Sequence, residues 1–521
     1  MYDLLIQNGV VIDGTGSPGY HADVAVKDGK IAKIGRGLKG AAKTIDASGL
    51  VVTPGFIDSH SHADGQVLKH PDLVEKIEQG ITVNVAGQCG GSNVPLSRDE
   101  KREDYAGKEI GDLGNEYDLR SDPARYFAAL REHPLGSGTA FLIGHGTLRK
   151  AVMGMENRAP SAEELEAMKN LLRKCMENGA RGLSLGLFYA PGSYAATEEA
   201  IEIAKVVSEY DGIVASHVRD EGKLLYRAVQ EYLDILRKAG VRGVVSHHKA
   251  CSSEENWGKV THTLRMIDEA NESGMDVYCD VYPYVATSTS LSATFLPGAE
   301  LSRGREAVAE LLGDPAYRAE MRAYLMTRHG DTDYGWVQIN QCKPFPQYTG
   351  RRLNEIAVEH GKDPVDTVFD IMQASGLVGA ACYFTICEED LETVLRHPRA
   401  MICTDSGVTT KEGQFHHPRM NGSFPRTLGR YVREKKVVPL HEMIRKMTAM
   451  PARVYRLAGK GLLWEGMDAD LCVFDPEKIA DGSDFVDCRK RNEGLSYVLV
   501  GGEVVVEDNV YNGKRMAKAI L

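Results

Sequence analysis

The sequence predicts an α/β protein: a (β/α)8 barrel of the TIM type, with a small β-sandwich domain built from both termini and a subdomain inserted into the barrel. Three observations predict this fold. Short apolar runs alternate with amphipathic helical stretches through the middle of the chain, both ends read as strands, and one interval between apolar runs is too long for a single crossover. At 521 residues, the chain also exceeds the size of one ordinary compact core.

Both ends of the chain carry the pattern of short antiparallel strands. Apolar and polar residues alternate between turn signals such as Asp28-Gly29 and Gly501-Gly502. The alternating segments are 4–7, 10–13, 22–26, 31–34, 44–46, 469–474 and 497–507. Because chain ends commonly lie close together on a domain surface, we expect residues 1–54 and 456–521 to form one β domain.

The middle of the chain contains eight apolar runs that we predict to be barrel strands. They are residues 51–58, 81–88, 139–144, 182–187, 213–217, 243–247, 276–282 and 400–404. Helical patterns fill most of the intervals, so the barrel is predicted over residues 55–455. The interval before the last run is the long one, and we assign residues 289–345 within it to a lid-like insertion.

Composition and charge exclude several classes of protein. The net charge of -11 is spread along the chain without a long single-sign block, which gives no support to a nucleic-acid or membrane-surface partner. The first residues do not resemble a secretory leader, and no apolar stretch approaches the length of a bilayer span. We therefore expect a cytoplasmic protein with a small-molecule substrate and reduced cysteines; the sequence indicates no oligomeric state.

The strongest chemical signal is the run PGFIDSHSH at residues 54–62, an apolar strand that ends in two histidines. Residues i and i+2 of a strand project from the same face, so His60 and His62 can aim at one point. Active sites of parallel barrels are built at the carboxyl ends of the strands. The pair is therefore a candidate for metal binding.

Three more candidate ligands follow apolar runs in the same way. His217 ends the fifth predicted strand, His247 the sixth, and Asp405 follows the eighth. Candidate ligands at the ends of strands one, five, six and eight would rarely occur together by chance, so they indicate one shared site. His248 competes with His247, but adjacent strand residues face opposite ways, and His247 continues the inward phase of Val245.

These residues together resemble the amidohydrolase superfamily. The resemblance rests on PGFIDSHSH, the strand-end histidines, the turn Thr404-Asp405-Ser406 and the tail GLLWEGMDADLCVFD at residues 461–475. It covers essentially the whole chain. It implies a zinc-containing barrel with a β domain made from both termini.

One departure from the superfamily pattern narrows the resemblance. Many members with two metals use a carboxylated lysine at the end of strand four, but GLSLGL at residues 182–187 offers none. Instead, Cys89 follows strand two, and a thiolate is a good zinc ligand. The replacement of the lysine by a cysteine resembles that in the N-acyl-D-amino-acid deacylases (D-aminoacylases). Four other stretches also resemble this family: 185–195, 246–249, 280–284 and 417–433.

The resemblance to this family implies a set of metal ligands. Cys89, His217 and His247 would hold a tightly bound Zn²⁺, while His60 and His62 flank a second, weaker position, so that one or two metals remain possible. Asp405 would take a proton from water and pass it to the leaving amine.

Substrate-binding residues are also implied. An N-acyl amino acid carries a free carboxylate, and Lys249 and Tyr282 are placed to anchor it beside the metal. Tyr189, in the stretch 185–195, is a further substrate-binding candidate. Relatives selective for acidic side chains carry an arginine shortly after the YPY motif, where this sequence has Ser292. We therefore expect a preference for neutral, apolar D-amino acids.

Two other functions compete with this expectation. A cyclic amidase of the hydantoinase or dihydroorotase kind shares the barrel and its ligands, but the missing strand-four lysine argues against it. A catalytically inactive scaffold is the rival from another class. Such proteins usually lose several ligands, whereas every ligand position is filled here.

Overall fold

The computed structural model describes residues 1–330, 332–409 and 417–521. Its strands are β1 (Tyr2–Val11), β2 (Tyr20–Lys27), β3 (Lys30–Gly35), β4 (Ala41–Asp46), β5 (Val51–Pro54), β6 (Phe56–Asp58), β7 (Ile81–Ala86), β8 (Gly138–Gly144), β9 (Gly182–Gly186), β10 (Ile213–His217), β11 (Arg242–Val245), β12 (Val277–Val281), β13 (Thr287–Ser290), β14 (Val337–Gln341), β15 (Ala380–Tyr383), β16 (Ala400–Ile402), β17 (Leu471–Phe474), β18 (Leu495–Val500), β19 (Glu503–Glu507) and β20 (Val510–Tyr511).

The helices fill most of the intervals between the barrel strands and part of the insertion. They are α1 (Val74–Ile77), α2 (Glu116–Arg120), α3 (Pro123–Glu132), α4 (His145–Met153), α5 (Ala162–Glu177), α6 (Thr197–Ser208), α7 (Leu225–Ala239), α8 (Lys259–Glu272), α9 (Leu291–Phe295), α10 (Arg305–Leu311), α11 (Pro315–His329), α12 (Leu353–Glu359), α13 (Pro364–Ala374), α14 (Glu388–Arg396), α15 (Arg419–Arg426), α16 (Leu440–Met447) and α17 (Ala449–Val454), with a π-helix over Thr427–Glu434. Local sequence sets these limits: before α5, the Oγ of Ser161 accepts the Glu164 N–H while the Glu164 carboxylate accepts the Ser161 N–H, which is a capping box.

Eight parallel strands form the barrel, in the order β16-β12-β11-β10-β9-β8-β7-β6. The first and last strands meet, because Ser59 donates its N–H to the Ile402 carbonyl and Ser61 pairs with Ser406. The predicted barrel is confirmed. The predicted first strand, however, is divided at Gly55, where a Cβ would lie 2.2 Å from Thr82 Oγ1. Strand β5 before this glycine belongs to the terminal sheet, and β6 after it belongs to the barrel.

The two ends of the chain form one nine-stranded sheet, as the sequence predicts. Its order is β20-β19-β18-β17-β5-β1-β2-β3, and β4 pairs with β1. Strand β17 shows how this sheet holds to the barrel. Leu471 and Val473 enter the core of the terminal sheet, whereas Cys472 and Phe474 enter the main barrel core. Because successive side chains of β17 point to opposite faces, this one strand packs against both the terminal sheet and the barrel.

The insertion between β12 and β16 has its own sheet and core. The strands pair in the order β13-β15-β14, and the core extends from Leu291 to Tyr383. It therefore reaches beyond the predicted limits of 289–345, because the central strand β15 comes last along the chain. The domain limits 1–54, 55–455 and 456–521 stay a proposal drawn from the sequence.

The C-terminal tail packs against one end of the barrel. Ala517 exchanges backbone hydrogen bonds with Leu135, and Ile520 donates its N–H to the Thr139 carbonyl. These contacts lie where β8 begins, so the tail covers the amino ends of the strands and leaves the carboxyl ends to the insertion. Within the described ranges, we find no helix with both the length and the apolarity required to cross a bilayer.

Candidate active site

A cluster of imidazole, thiol and carboxylate groups occupies the carboxyl ends of the barrel strands. The Sγ atom of Cys89 lies 3.3 Å from His60 Nε2, 3.3 Å from His247 Nε2 and 3.6 Å from His217 Nδ1. Two sets of donor atoms lie within 4.8 Å of one another: His60, His62, Cys89 and Asp405 form one, and Cys89, His217 and His247 form the other. The structure thus brings together all six residues predicted from the sequence, with Cys89 common to both sets.

The separations within this cluster fit zinc. A tetrahedral ion with ordinary Zn–S and Zn–N bond lengths holds its sulfur and nitrogen ligands about 3.5 Å apart. The three distances from Cys89 Sγ fall close to that value. Sulfur, imidazole nitrogen and carboxylate oxygen are also the donors that zinc takes in proteins.

The loop that carries Cys89 packs against β9, the fourth barrel strand, which has no lysine. Ser184 on β9 donates its hydroxyl to the Gly87 carbonyl at 2.6 Å and accepts the Gly90 N–H at 3.1 Å. A Cβ on Gly186 would lie 2.1 Å from the Cys89 carbonyl oxygen. Ser184 and Gly186 of β9 therefore let the loop approach closely and present its thiol to the cluster.

Three donors of the cluster have left-handed backbone conformations. Their φ angles are 53° at Cys89, 35° at His247 and 47° at Asp405. Such conformations cost non-glycine residues about 1 to 3 kcal/mol each and persist where the surrounding structure enforces them. They turn three side chains from separate strands toward one point.

The electrostatics of the cluster stabilise charged forms of its members. Burial alone raises the pKa of the Cys89 thiol, but the charges of His60 and His247 and the hydrogen bonds to the histidines outweigh burial and bring the pKa well below its usual value. Burial lowers the pKa of His62, yet hydrogen bonds to Asp405 and Cys89 raise it to about 9. The lowered pKa favours the thiolate of Cys89, which is the form that binds metals.

Asp405 joins the cluster to a buried arginine. Its Oδ1 lies 3.1 Å from His62 Nε2, and its Oδ2 accepts a hydrogen bond from Arg419 Nη1 at 2.6 Å. Burial raises the pKa of the Asp405 carboxyl, but the charge of Arg419, followed by that of His247, brings it well below its usual value. Sequence reasoning missed Arg419, although it lies in the stretch 417–433 that resembles the family.

Two further carboxylates support the histidines. Glu221 Oε1 lies 3.0 Å from His247 Nδ1 and 2.6 Å from Lys249 Nζ, and Asp280 Oδ1 accepts the His247 N–H at 2.5 Å. A carboxylate beside a ring nitrogen, as Glu221 is here, fixes the ring orientation and tautomer of a ligand histidine, whereas Asp280 holds the His247 backbone. Glu221 was missed because it lies four residues beyond the end of β10, in a loop without a periodic signal. His248 points away from the cluster, and its Nε2 contacts Thr263 Oγ1 at 2.8 Å.

A cleft of about 260 Å³ opens over the cluster. Lys249, Tyr282 and Tyr189 line it, as the sequence predicts for substrate-binding residues. Ser292 is not among the lining residues described; its Oγ lies 3.3 Å from Ser290 Oγ. The insertion contributes other walls of the cleft, among them Thr294, Arg328, His329, Trp336 and Tyr383.

Fold and donor cluster together define a metal-binding (β/α)8 barrel. Residues 43–506 match the amidohydrolase family, and the chain therefore belongs to that family.

Three relatives illustrate the likeness. The chain is 38% identical over 520 residues to the D-aminoacylase of Alcaligenes xylosoxydans xylosoxydans, covering 100% of this chain and 97% of that protein. A solved structure of D-aminoacylase, described for a binuclear metal centre with one-metal activation and second-metal attenuation, superposes with a TM-score of 0.83 at 36% identity and 100% coverage of both chains. A second solved structure is that of the N-acyl-D-glutamate deacylase of Bordetella bronchiseptica, complexed with zinc and a phosphonate mimic of the tetrahedral intermediate. It superposes with a TM-score of 0.82 at 34% identity, covering 100% of this chain and 99% of that one.

Proposed function

We propose that this protein is a zinc-dependent N-acyl-D-amino-acid deacylase. Water adds its oxygen to the acyl carbon, the C–N bond breaks, and a carboxylate and a free D-amino acid are released. The observation that carries this proposal is the convergence of Cys89, four histidines and Asp405 at the carboxyl ends of the strands. The D configuration and the acyl amide rest on the likeness to D-aminoacylase and N-acyl-D-glutamate deacylase over the whole chain.

The chain's own residues offer two zinc positions that share one thiolate. Cys89, His217 and His247 would hold the tightly bound ion, and His60, His62, Cys89 and Asp405 surround the second, weaker position. Zinc, when bound, supplies a Lewis acid that polarises a carbonyl and lowers the pKa of water toward neutrality. Glu221 orients the ring of His247 for this purpose through the Nδ1 atom, and Asp280 holds the backbone N–H of the same residue.

Asp405 is the residue we assign to proton transfer. An amide nitrogen leaves only when it is protonated, so a group beside the scissile bond must first accept the proton of water and then deliver it. The Asp405 carboxylate is held by Arg419 on one oxygen, and its other oxygen faces His62. The charge of Arg419 lowers the pKa of Asp405 and so keeps the carboxyl ionised, which is the form that can accept a proton.

Three groups on one side of the cleft are suited to the α-carboxylate of the substrate. Arg419 lies over the Tyr282 ring at 4.6 Å and Lys249 lies near the same ring at 5.7 Å. The buried Tyr282 hydroxyl has no hydrogen-bond partner among the described residues. A donor left unpaired beside two cations is placed to bind an incoming carboxylate.

The side chain of the preferred substrate is proposed to be neutral and apolar, as the residue Ser292 led us to expect. Support comes from the aromatic walls Phe188, Tyr189 and Trp336 of the cleft, which bury apolar groups well. We keep Ser292 as a candidate specificity residue that acts through its neighbour Ser290, which it contacts.

A cytoplasmic location and the absence of nucleic-acid or membrane partners also remain proposals. All ten cysteines are free thiols in the structure, which suits a reducing compartment.

The test is a screen of the zinc-supplemented enzyme against N-acetyl-D-leucine, N-acetyl-L-leucine and hydantoin. We expect D-leucine release at least 100-fold faster than L-leucine release, with no opening of the hydantoin ring. Hydantoin opening without release of a free amino acid would establish the cyclic-amidase alternative. A protein that binds less than about one zinc per chain and hydrolyses none of the three is the inactive scaffold.

A further inference from the structure

Arg328 is a cation within the cleft, at the C-terminal end of α11, and it has no ion-pair partner among the described residues. Its Nη1 donates to the Tyr324 hydroxyl at 3.2 Å, while its Nε is shielded from solvent and has no partner among the described residues. None of the carboxylates described forms an ion pair with it, in contrast to Arg322 on the same helix, which pairs with Asp363 at 2.9 Å. A buried donor without an acceptor in a binding cleft points to an acceptor on the ligand.

Two stacked rings connect Arg328 to the metal cluster. Its guanidinium carbon lies 5.6 Å from the centroid of the Phe188 ring, and that ring stacks on His217 at 5.3 Å. The guanidinium carbon is therefore no more than about 11 Å from the imidazole of His217. This distance suits a group separated from the scissile amide by a few carbon–carbon bonds of about 1.5 Å each.

The neighbour of Arg328 adds a neutral polar group. Burial, followed by the charge of Arg328, lowers the pKa of His329 to about 4. Its ring lies 5.2 Å from that of Trp336, and both residues line the cleft. Arg328 therefore provides charge at this end of the cleft, and His329 provides a neutral donor or acceptor beside it.

We propose that Arg328 and His329 form a subsite for a second carboxylate of the substrate, remote from the scissile amide. This inference rests on the proposed deacylase function and extends it to the substrate's variable part. The carboxylate has two possible sources. A dicarboxylic acyl group, as in N-succinyl-D-leucine, agrees with the apolar side chain proposed above, whereas an acidic side chain, as in N-acetyl-D-glutamate, would replace that part of the proposal. In both cases the guanidinium forms a charge-assisted hydrogen bond with the carboxylate.

A role confined to α11 competes with this inference. A cation in the last turn of a helix stabilises the helix through its dipole, whatever lies in the cleft. Loss of that contribution lowers stability and affects all ligands alike. A variant of Arg328 that weakens binding of a dicarboxylate but not of N-acetyl-D-leucine therefore shows a ligand-binding role rather than a role in helix stability.

The test measures dissociation constants by calorimetry on zinc-loaded protein carrying Asp405→Asn, so that bound substrates persist. N-acetyl-D-leucine, N-succinyl-D-leucine and N-acetyl-D-glutamate are compared in the Arg328→Met, Arg328→Lys and Arg322→Met backgrounds. We expect Arg328→Met to raise the dissociation constant of one of the two dicarboxylates by about 10- to 100-fold and that of N-acetyl-D-leucine by less than about threefold. Arg328→Lys keeps the charge and should lose less affinity for that dicarboxylate. Arg322→Met should leave all three dissociation constants unchanged.

The ligand that responds identifies the source of the carboxylate. Dependence of N-succinyl-D-leucine on Arg328 assigns the subsite to the acyl group, and dependence of N-acetyl-D-glutamate assigns it to the side chain. Equal changes for all three ligands, or none, overturn the inference. Failure of the deacylase proposal has a different signature, because the enzyme with Asp405 intact then releases no amino acid from any of the three while these binding differences persist.

Discussion

The carbonyl oxygen of Cys89 lies 2.1 Å from the position that a Cβ atom would take on Gly186. The loop after β7 and the end of β9 are therefore in contact so close that only glycine fits. Because Cys89 belongs to both donor sets of the cluster, this contact positions the ligand shared by the two proposed zinc sites. It also explains why a strand four without lysine is compatible with a metal site in this chain.

Gly186→Ala should therefore displace the Cys89 loop and lower zinc affinity by about 10- to 100-fold, the range for groups that support a metal ligand. Zinc content after dialysis against a chelator of known affinity measures the effect. Gly91→Ala is the matched control in the same loop, since its Cβ would meet nothing closer than Gln88 O at 3.7 Å. Equal zinc affinity in both variants would contradict this account of the loop.

Lys76 is a buried cation that ties the first and last barrel strands together. Its Nζ donates to Asp58 Oδ2 at 2.9 Å and to Thr404 Oγ1 at 2.7 Å. Lys76→Met leaves the Asp58 carboxylate buried without its counter-ion, so we expect a loss of about 3 to 5 kcal/mol in the free energy of unfolding.

Thermal and denaturant unfolding of the purified variant check this value. Lys490→Met is the control, because its ion pair with Asp484 is exposed on both sides and should be worth less than about 1 kcal/mol. The double variant Lys76→Met, Asp58→Asn should recover part of the loss. A single variant within about 1 kcal/mol of the wild type would show that the buried pair does not hold the strands.

Tyr282→Phe should separate stability from substrate binding. The Tyr282 hydroxyl is buried without a partner among the described residues, so its removal should leave the melting temperature unchanged or raise it. If the hydroxyl receives the substrate carboxylate, the same change should raise KM for N-acetyl-D-leucine by about 10-fold with little change in kcat. An unaltered KM would remove Tyr282 from the proposed anchor.

Lys446 should make stability depend on pH in the alkaline range. Burial lowers the pKa of Lys446 to about 8, from 10.5 when the chain is unfolded. Between these values the unfolded chain binds more protons than the folded one, so the contribution of Lys446 to stability rises with pH across this window and is complete above it. Lys446→Met lacks this contribution.

The melting temperature of the wild type minus that of Lys446→Met should therefore be higher at pH 9.5 than at pH 7, by an amount equivalent to about 1 to 3 kcal/mol. The comparison between the two proteins cancels the other groups that titrate in this range. A constant difference across the two pH values would show that the amine keeps its ordinary pKa.

The sequence predicted the barrel and five of its donors because both follow from strand periodicity. Parallel strands end at one rim of the barrel, and five donors stand at or just beyond those ends: His60, His62, His217, His247 and Asp405. Cys89 does not follow from that rule, since it lies in a glycine-rich loop beyond β7. Its place was predicted from the family resemblance and depends on contacts with Ser184 and Gly186 on β9.

The parts that sequence could not predict depend on contacts between distant segments. Arg419 stands 14 residues after Asp405, and no local sequence pattern predicts that the two side chains meet. The insertion ends later than predicted because β15 pairs with both β13 and β14 across most of its length. Arg328 in the cleft is likewise a product of how α11 packs over Phe188.

Zinc binding by Cys89→Ala tests the central claim most directly. The wild-type protein, stripped of metal and titrated with zinc, should recover D-leucine release from N-acetyl-D-leucine as the first one or two equivalents bind. Cys89→Ala should bind zinc at least 100-fold more weakly and stay inactive at those ratios, while it melts within a few degrees of the metal-free wild type. Unchanged zinc affinity and activity in Cys89→Ala would contradict a metal centre built on this thiolate.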